Sequence, residues 1–451
     1  MKTIIIFIEE NRISQNKRRV ERSKDALVGL KNALTLFSRV RDVVATLRPA
    51  QNSNSQIAQF KPANTHILIK PIANSAIMVG NSSNNKVHKK VKVAIAGVGN
   101  CASALLQGIS FYGNGYNSGQ EKGNIDDIPE GLIAYTLGDL MPGDIEFVAA
   151  FDVVDAKVGQ DLADAIFAKP NNTIKIADVP STGIKVQKGK VLDGIGRRLN
   201  ERVKISDSIP ADVSKILKES GAEILVNYLP VGSREATKYY VEQCLEAGVS
   251  FINAIPVFIA STPKWQKAFS DKNLLCAGDD VMSQLGATVL HKTLVKLFVD
   301  RGVKVDETYQ LNVGGDMDFY NMLDEERLED KRISKTSAVA AMAPYEIPMR
   351  IGPSDFVGFL ANDKVCYISM RGKYFGRVPI EVDVKLKVVD AYNSAGVMID
   401  AIRGTKIAID RGVTGQLDSV SAYCFKHPPV QKPYLEAKTS FMEFVEGKIE
   451  R

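Results

Sequence analysis

The sequence predicts an α/β fold, a doubly wound parallel sheet, with a second, one-faced sheet after it. Three observations carry that expectation. From Val91 onward short apolar runs alternate with stretches of helical periodicity, which calls for parallel strands buried under helices on both faces. The first of these runs ends in a glycine turn that opens onto a helix, an arrangement that presents backbone N–H groups to an anion. Beyond residue 280 strict apolar–polar alternation appears, the pattern of a strand covered on one side only.

Ahead of the first strand lies a basic extension. Residues 1–90 hold sixteen Lys or Arg and five Asp or Glu, a balance of +11 against +6 for the whole chain. "QNKRRVERSKDALVGLKNALTLFSRVRDVV" reads as a basic amphipathic helix and "RPAQNSNSQIAQF" as a linker. A nucleic-acid arm and a presequence are the functional alternatives. The favoured reading is a poorly ordered extension, with Met78 as an alternative start and no nucleic-acid partner.

Composition removes several function classes. The chain has 451 residues, 45% hydrophobic and 24% charged, enough for two or three domain cores. No run of 18 apolar residues occurs, and "TIIIFIEEN" lacks a cleavage site, so a cytoplasmic protein without a membrane partner is expected. Cys101, Cys244, Cys276, Cys366 and Cys424 are widely spaced and odd in number, which predicts free thiols. His66, His88, His291 and His427 stand alone, which argues against a zinc cluster or a serine hydrolase triad.

The predicted strands are "VKVAIAG" (91–97), "IEFVAAFDV" (145–153), "AEILVNYLP" (222–230) and "SFINAIP" (250–256). After the first, Gly97-Val98-Gly99-Asn100-Cys101-Ala102 fits G-x-G-x-x-A. The first glycine permits the turn, the second lets backbone approach a pyrophosphate, and the small last position lets helix pack on strand. Asp152 ends the next strand and is the candidate ribose ligand, an acid that favours NAD over NADP; its alternative role is a turn cap. It lies farther from the turn than usual, across "YGNGYNSGQEKGNIDDIPEGL", read as an inserted loop over the cofactor. Asn227 and Asn253 follow apolar runs at strand ends, where they could bond a ligand or simply serve a turn.

Further on, Ser283, Gln284, Gly286, Ala287 and Thr288 precede a helix and offer free N–H groups and hydroxyls to phosphate, with ordinary capping as the alternative. Lys331 and Lys335, four apart, share one helical face; an anionic ligand or the neighbouring acids could offset their repulsion. In "IEVDVKLKVVD", Val382, Val384, Leu386 and Val388 alternate with Glu381, Asp383, Lys385 and Lys387, and the free face of such a strand suits subunit packing. A closing helix is expected with Ser394 as N-cap and Gly412 as stop.

Taken in order, "VAIAGVGNCASALLQG", "FVAAFDV", "NNTIKIADVP", "LDGIG", "AGDDVMSQLGAT", "LNVGGDMDFYNML", "SKT", "GPSDFVGFL", "KLKVVDAYNSAGVMIDAIR" and "SAYCFKHPP" closely resemble the myo-inositol-1-phosphate synthase (inositol-3-phosphate synthase) family of the prokaryotic and archaeal type. The resemblance spans about Val91 to Pro429. It implies a Rossmann-type NAD-binding domain (91–280) interrupted by an α+β catalytic and oligomerisation domain (281–389), a C-terminal segment (390–451) that returns to the first, and a homotetramer. It implies conversion of D-glucose 6-phosphate to 1D-myo-inositol 3-phosphate, in which NAD takes hydride from C5, an enolate closes the ring, and the same NADH reduces the ketone. By the same resemblance Lys331, Lys335, Lys364, Lys426 and Asp390 are catalytic, Asp280, Asn312 and Asp318 are polar active-site ligands, and the 283–288 segment holds phosphate. The family's activating cation, divalent or monovalent, is left open. A net phosphosugar dehydrogenase and a non-catalytic nucleic-acid-binding regulator are the competing readings.

Overall fold

The computed structural model describes residues 90–113 and 130–451. The expectations for the basic extension and for most of the inserted loop lie outside those residues.

Two sheets organise the described chain. Strands β1 (Val91–Ala96), β2 (Ile145–Asp152), β3 (Gln187–Lys188), β4 (Ile224–Asn227), β5 (Ser250–Asn253), β6 (Leu275–Ala277) and β11 (Gly415–Gln416) form a seven-stranded sheet in the order β11-β6-β5-β4-β1-β2-β3. Every pairing in it is parallel. β4 and β5 are buried at every position, as continuous apolar runs require when helices cover both faces. Alternation divides their side chains: Ile224, Val226 and Ile252 enter one core, Leu225 and Phe251 the other. Strand order reverses between β1 and β4, and a sheet of this type binds ligands at the carboxyl ends beside such a reversal.

The second sheet, in the order β10-β9-β7-β8, contains β7 (Lys304–Gly314), β8 (Met349–Phe356), β9 (Asp363–Lys373) and β10 (Pro379–Val389). β9 runs antiparallel to both of its neighbours, and β8 parallel to β7. Helices α7 (Ala287–Asp300) and α9 (Glu329–Ala340) supply Val295, Phe298 and Val339 to a core with Ile351, Ile368 and Met370. Along β10 Glu381, Asp383, Lys385 and Lys387 are exposed in alternation with half-buried Val382, Val384 and Leu386, as the sequence pattern predicts.

Helix α10 (Asp390–Asp410) continues directly from β10 and is buried almost throughout. Its Met398, Ile399 and Ile402 join the core beneath the first sheet. The expected Ser394 N-cap is incorrect, because the helix begins four residues earlier. Asn362 caps it from outside: its carbonyl accepts from Asp390 N at 2.9 Å and its Oδ1 from Ala391 N at 3.2 Å. Ser394 Oγ instead donates to the Ala391 carbonyl. Gly412 lies just past the helix end at φ +69°, as a helix stop should.

One glycine in α10 answers to a neighbour rather than to propensity. A Cβ on Gly396 would stand 1.9 Å from the Gly131 carbonyl oxygen. Gly→Ala inside a helix ordinarily gains about 1 kcal/mol, but here overpacking dominates, at roughly 1–3 kcal/mol. Gly396→Ala is expected to lower the thermal midpoint, and a raised midpoint would show that the contact relaxes freely.

Candidate active site

Two adjoining cavities open at the strand-order reversal. The smaller, about 140 Å³, is lined by Gly97, Val98, Asp152, Lys157 and Asn171; the larger, about 220 Å³, by Cys101, Asp280, Asn312, Asp390 and four lysines. Gly99, Asn100, Tyr228, Leu229 and Pro230 border both.

The glycine turn forms their shared wall. Gly97 has φ +94°, and a Cβ there would meet the Tyr228 carbonyl oxygen at 2.5 Å, so both the conformation and the space demand glycine. At Gly99 a Cβ would meet nothing within 4 Å, which leaves backbone open to the cavities. Ala102 is fully buried, in keeping with close packing of α1 (Asn100–Gly113). The two readings of Asp152 are compatible. Its Oδ1 accepts from Val153 N at 2.7 Å and Val154 N at 2.9 Å, its Oδ2 accepts from Val98 N at 2.8 Å, and it still lines the smaller cavity.

Sequence reasoning missed the partners that brace this turn. Lys157 Nζ donates to the Val98 carbonyl at 2.8 Å and to Asn171 Oδ1 at 3.1 Å. Asn100 donates to Asn172 Oδ1 and accepts from Asn172 N and Thr173 Oγ1, all within 3.0 Å. The run "NNT" carries no local signal for this task.

Three expected ligand residues point elsewhere. Asn227 and Asn253 are fully buried and border neither cavity. Register pairs them across β4 and β5, so Asn227 donates to Asn253 Oδ1 at 2.9 Å and to Thr237 Oγ1 at 3.1 Å, while Asn253 donates to Asp279 Oδ1 at 2.7 Å. Asp279 anchors the loop after β5, accepting from Ile259 N, Ala260 N and Ser261 N, and burial pushes its carboxyl up to about 6. Gln284 also turns away, its Nε2 donating to the Gly131 carbonyl. Ser283, Gly286, Ala287 and Thr288 do line the larger cavity, at the N-terminus of α7.

The remaining expected residues converge in that cavity. Lys331 and Lys335 come from α9, Lys364 from β9, and Lys426 from the segment after α11 (Asp418–Cys424). Three of the four ammonium groups are matched by carboxylates: Lys331 with Asp318 at 2.6 Å, Lys364 with Asp390 at 3.0 Å, and Lys426 with Asp280 at 2.8 Å. Antiparallel register sets Asp363 opposite Val389, which brings Lys364 and Asp390 together across 26 residues of chain. Lys426 is placed similarly, since its backbone N also donates to the Asp280 carbonyl at 2.8 Å. Asp280 further accepts from Ser334 Oγ at 2.6 Å.

Lys335 is different. It is 7% exposed and has no carboxylate partner among the described residues. Burial, reinforced by Lys331, Lys364 and Lys426, drives its ammonium well below the ordinary lysine value. For Lys331 and Lys364 burial acts in the same direction and is the largest single influence, but the surrounding acids together, Asp318 with Asp280 and Asp390 with Asp316 and Asp318, hold them above that value. Asp316 is the carboxyl that residue patterns did not single out. It caps α8 (Met317–Asn321), accepting from Phe319 N at 3.1 Å, and lines the cavity. Burial, aided by Asp390 and Asp318, pushes it up to about 7.

All five cysteines are free thiols, four of them buried and Cys101 half-buried at the cavity wall. Among the described residues no helix is long and apolar enough to cross a membrane.

A sequence model of the family described as Myo-inositol-1-phosphate synthase matches residues 286–391. The inositol-3-phosphate synthase of Mycobacterium tuberculosis is 51% identical over 361 residues, covering 79% of this chain and 96% of its own; that of Corynebacterium glutamicum is 48% identical over 363 residues, covering 79% and 98%. The crystal structure of a myo-inositol-1-phosphate synthase-related protein from Thermotoga maritima superposes with a TM-score of 0.66 at 25% identity, covering 79% of this chain and 98% of that one. By sequence and by fold, this chain belongs to the inositol-3-phosphate synthase family.

Proposed function

We propose that the chain converts D-glucose 6-phosphate to 1D-myo-inositol 3-phosphate, with NAD recycled within each turnover. The observation that carries this reading is the convergence of four lysines from three parts of the chain on one cavity beside the glycine turn. Such a cluster stabilises oxygens that become anionic in a water-poor site. The N-terminus of α7, with Ser283, Gly286, Ala287 and Thr288, holds the phosphate. Lys331, Lys364 and Lys426 then face sugar oxygens, and Asn312, Asp318 and Asp280 orient them. Lys335, the cavity amine with no carboxylate partner among the described residues, accepts a proton from the sugar and returns it.

The residues present fit a dinucleotide. Gly97 to Ala102 would cradle its pyrophosphate, the open space at Gly99 admits backbone approach, and Asp152 favours the ribose of NAD over NADP. Bound there, NAD supplies the reversible hydride acceptor that a net redox-neutral isomerisation requires. Asp390 stands at the start of α10 beside Cys101 and the turn, where it holds Lys364 in place. A cation is assigned no residues.

In the same reading residues 91–280 form the NAD-binding domain, 281–389 the catalytic and oligomerisation domain, and 390–451 complete the first. Tyr309, Leu311 and Tyr367 are exposed on the outer face of the second sheet, which supports packing of that face in a homotetramer. Purified protein with glucose 6-phosphate and a sub-stoichiometric amount of NAD is expected to accumulate inositol phosphate, followed by NMR, without net NADH. Steady NADH formation would instead indicate a phosphosugar dehydrogenase.

A further inference from the structure

Ser334 lies on α9 immediately before Lys335, is fully buried and lines neither cavity. Its hydroxyl donates to Asp280 Oδ2 at 2.6 Å, while Lys426 Nζ donates to Asp280 Oδ1 at 2.8 Å. The direction of both bonds is fixed, because an ionised carboxylate only accepts and an ammonium only donates. Burial acts against ionisation of Asp280, but Lys426 and Lys331, together with these two hydrogen bonds, hold its carboxyl below the ordinary aspartate value. One bond would leave the carboxylate free to turn about its Cβ–Cγ axis. Gripped through both oxygens, it stays in one plane.

Around Lys335 stand Lys331 and Arg332 on its own helix, Lys364 and the Cys366 thiol on β9, Lys426 after α11 and Asp280 after β6; β8 contributes only Ile351, Gly352 and Ser354. Asp280 is the carboxylate whose charge acts on Lys335. Asp318 and Asp390, elsewhere on the cavity wall, are bonded to Lys331 and Lys364, and Asp316 caps α8. Lys335 therefore has one acid beside it, and that acid is turned to Ser334 and Lys426. A buried carboxylate oxygen that loses its donor is costly, so without the hydroxyl Oδ2 must find another. Lys335, the cavity ammonium with no ion pair among the described residues, is the group on hand to supply it.

We propose that Ser334 is a positioning residue: by holding Asp280 Oδ2 it keeps that carboxylate on Lys426 and away from Lys335, so that one of the four cavity amines stays outside any ion pair. The consequence for catalysis rests on the synthase reading above, in which Lys335 moves a proton. The contact itself does not. An ion-paired lysine holds its proton more tightly, and a proton acceptor that is already protonated at the working pH cannot act. A small buried hydroxyl beside the reactive lysine thus divides the lysines into three that stay charged and one that can exist free.

Two measurements test this. Competitive labelling of the free protein with acetic anhydride across pH, read by peptide mass spectrometry, titrates Lys335 without any substrate. Ser334→Ala is expected to raise its midpoint by about one pH unit or more, the scale of a newly adjacent opposite charge. Ser334→Thr, which keeps the hydroxyl, leaves the midpoint at the wild-type value. In an Asp280→Asn background Ser334→Ala gives no further shift, because the effect runs through that carboxylate. An unmoved midpoint in Ser334→Ala, or the same shift with Asp280→Asn in place, sinks the proposal. In turnover of glucose 6-phosphate, the acid limb of kcat moves to higher pH with the midpoint, so that below the wild-type limb kcat falls about tenfold while the high-pH plateau is kept. A lowered plateau with the limb in place means a merely structural role and also overturns it. Should Ser334→Ala fail to fold, Ser334→Cys, a weaker donor of nearly equal volume, must shift the midpoint in the same direction. A shifted midpoint in a protein that makes no inositol phosphate, or whose acid limb does not follow, overturns the synthase role of Lys335 and upholds the Ser334 contact.

Discussion

Lys335→Ala is expected to lower kcat by about 10²–10⁴-fold, the range for loss of a positioned acid–base group, while NAD affinity changes little. Lys335 is buried and forms no ion pair among the described residues, whereas each neighbouring lysine is matched to a carboxylate. Its amine is therefore the cavity group best suited to exist without a proton at neutral pH. If the free amine is the working form, kcat falls as pH drops through its lowered pKa, and that acid limb disappears in Lys335→Ala. Isothermal titration with NAD beside steady-state rates separates the two effects. Equal losses of cofactor affinity and turnover would mean that the amine shapes the cavity rather than moving a proton.

On replacement of Lys335, stability should move the opposite way to turnover. A lysine whose pKa is lowered on folding binds fewer protons folded than unfolded, so stability rises with pH between the folded and unfolded values. Below that window the buried ammonium weakens the fold. Lys335→Met, apolar and of similar length, is therefore expected to raise the thermal midpoint at neutral pH while turnover collapses, the usual trade at a strained site.

Arg403→Met is expected to cost about 3–5 kcal/mol of stability, the penalty for breaking a buried, hydrogen-bonded ion pair. Arg403 is fully buried. Its Nη1 donates to the Tyr135 carbonyl at 2.7 Å and the Leu140 carbonyl at 3.2 Å, and its Nη2 to the Ala134 carbonyl at 2.9 Å and Asp400 Oδ1 at 2.5 Å. Asp400 in turn accepts from Ile133 N at 3.1 Å, so both members of the pair grip the same loop. Methionine fills the volume but cannot donate to the Tyr135, Leu140 and Ala134 carbonyls, and it leaves Asp400 buried without its cation. The midpoint of denaturant unfolding measures the loss, and a change under about 1 kcal/mol would show that water replaces the guanidinium. The consequence reaches the active site because Asp390 begins the helix that carries this pair.

Much of this molecule is legible without coordinates. Short continuous apolar runs identify β1, β2, β4 and β5, period-two alternation identifies β10 and a 3.6-residue period identifies α7, because burial on two faces or on one imposes these patterns on any sequence. The glycine turn is equally local: Gly97 is required by its own φ and by one neighbouring carbonyl. The family resemblance also names Lys331, Lys335, Lys364 and Lys426, whose residue types suit the chemistry wherever the chain brings them.

Residue spacing says nothing about pairing across distance. Asn227 and Asn253 sit at strand ends like ligand residues, yet parallel register points them at each other, and a satisfied amide has nothing left for a ligand. Which lysine lacks a carboxylate depends on Asp318, Asp390 and Asp280 arriving from separate elements. The sequence alone determined the layers, the turn and the inventory of functional groups, since these follow from local backbone preference and hydrophobic period. Tertiary structure alone decided which of those groups are neutralised, which are exposed to the cavity and which cavity amine has no ion pair among the described residues, because electrostatics and hydrogen bonding act through space and not along the chain.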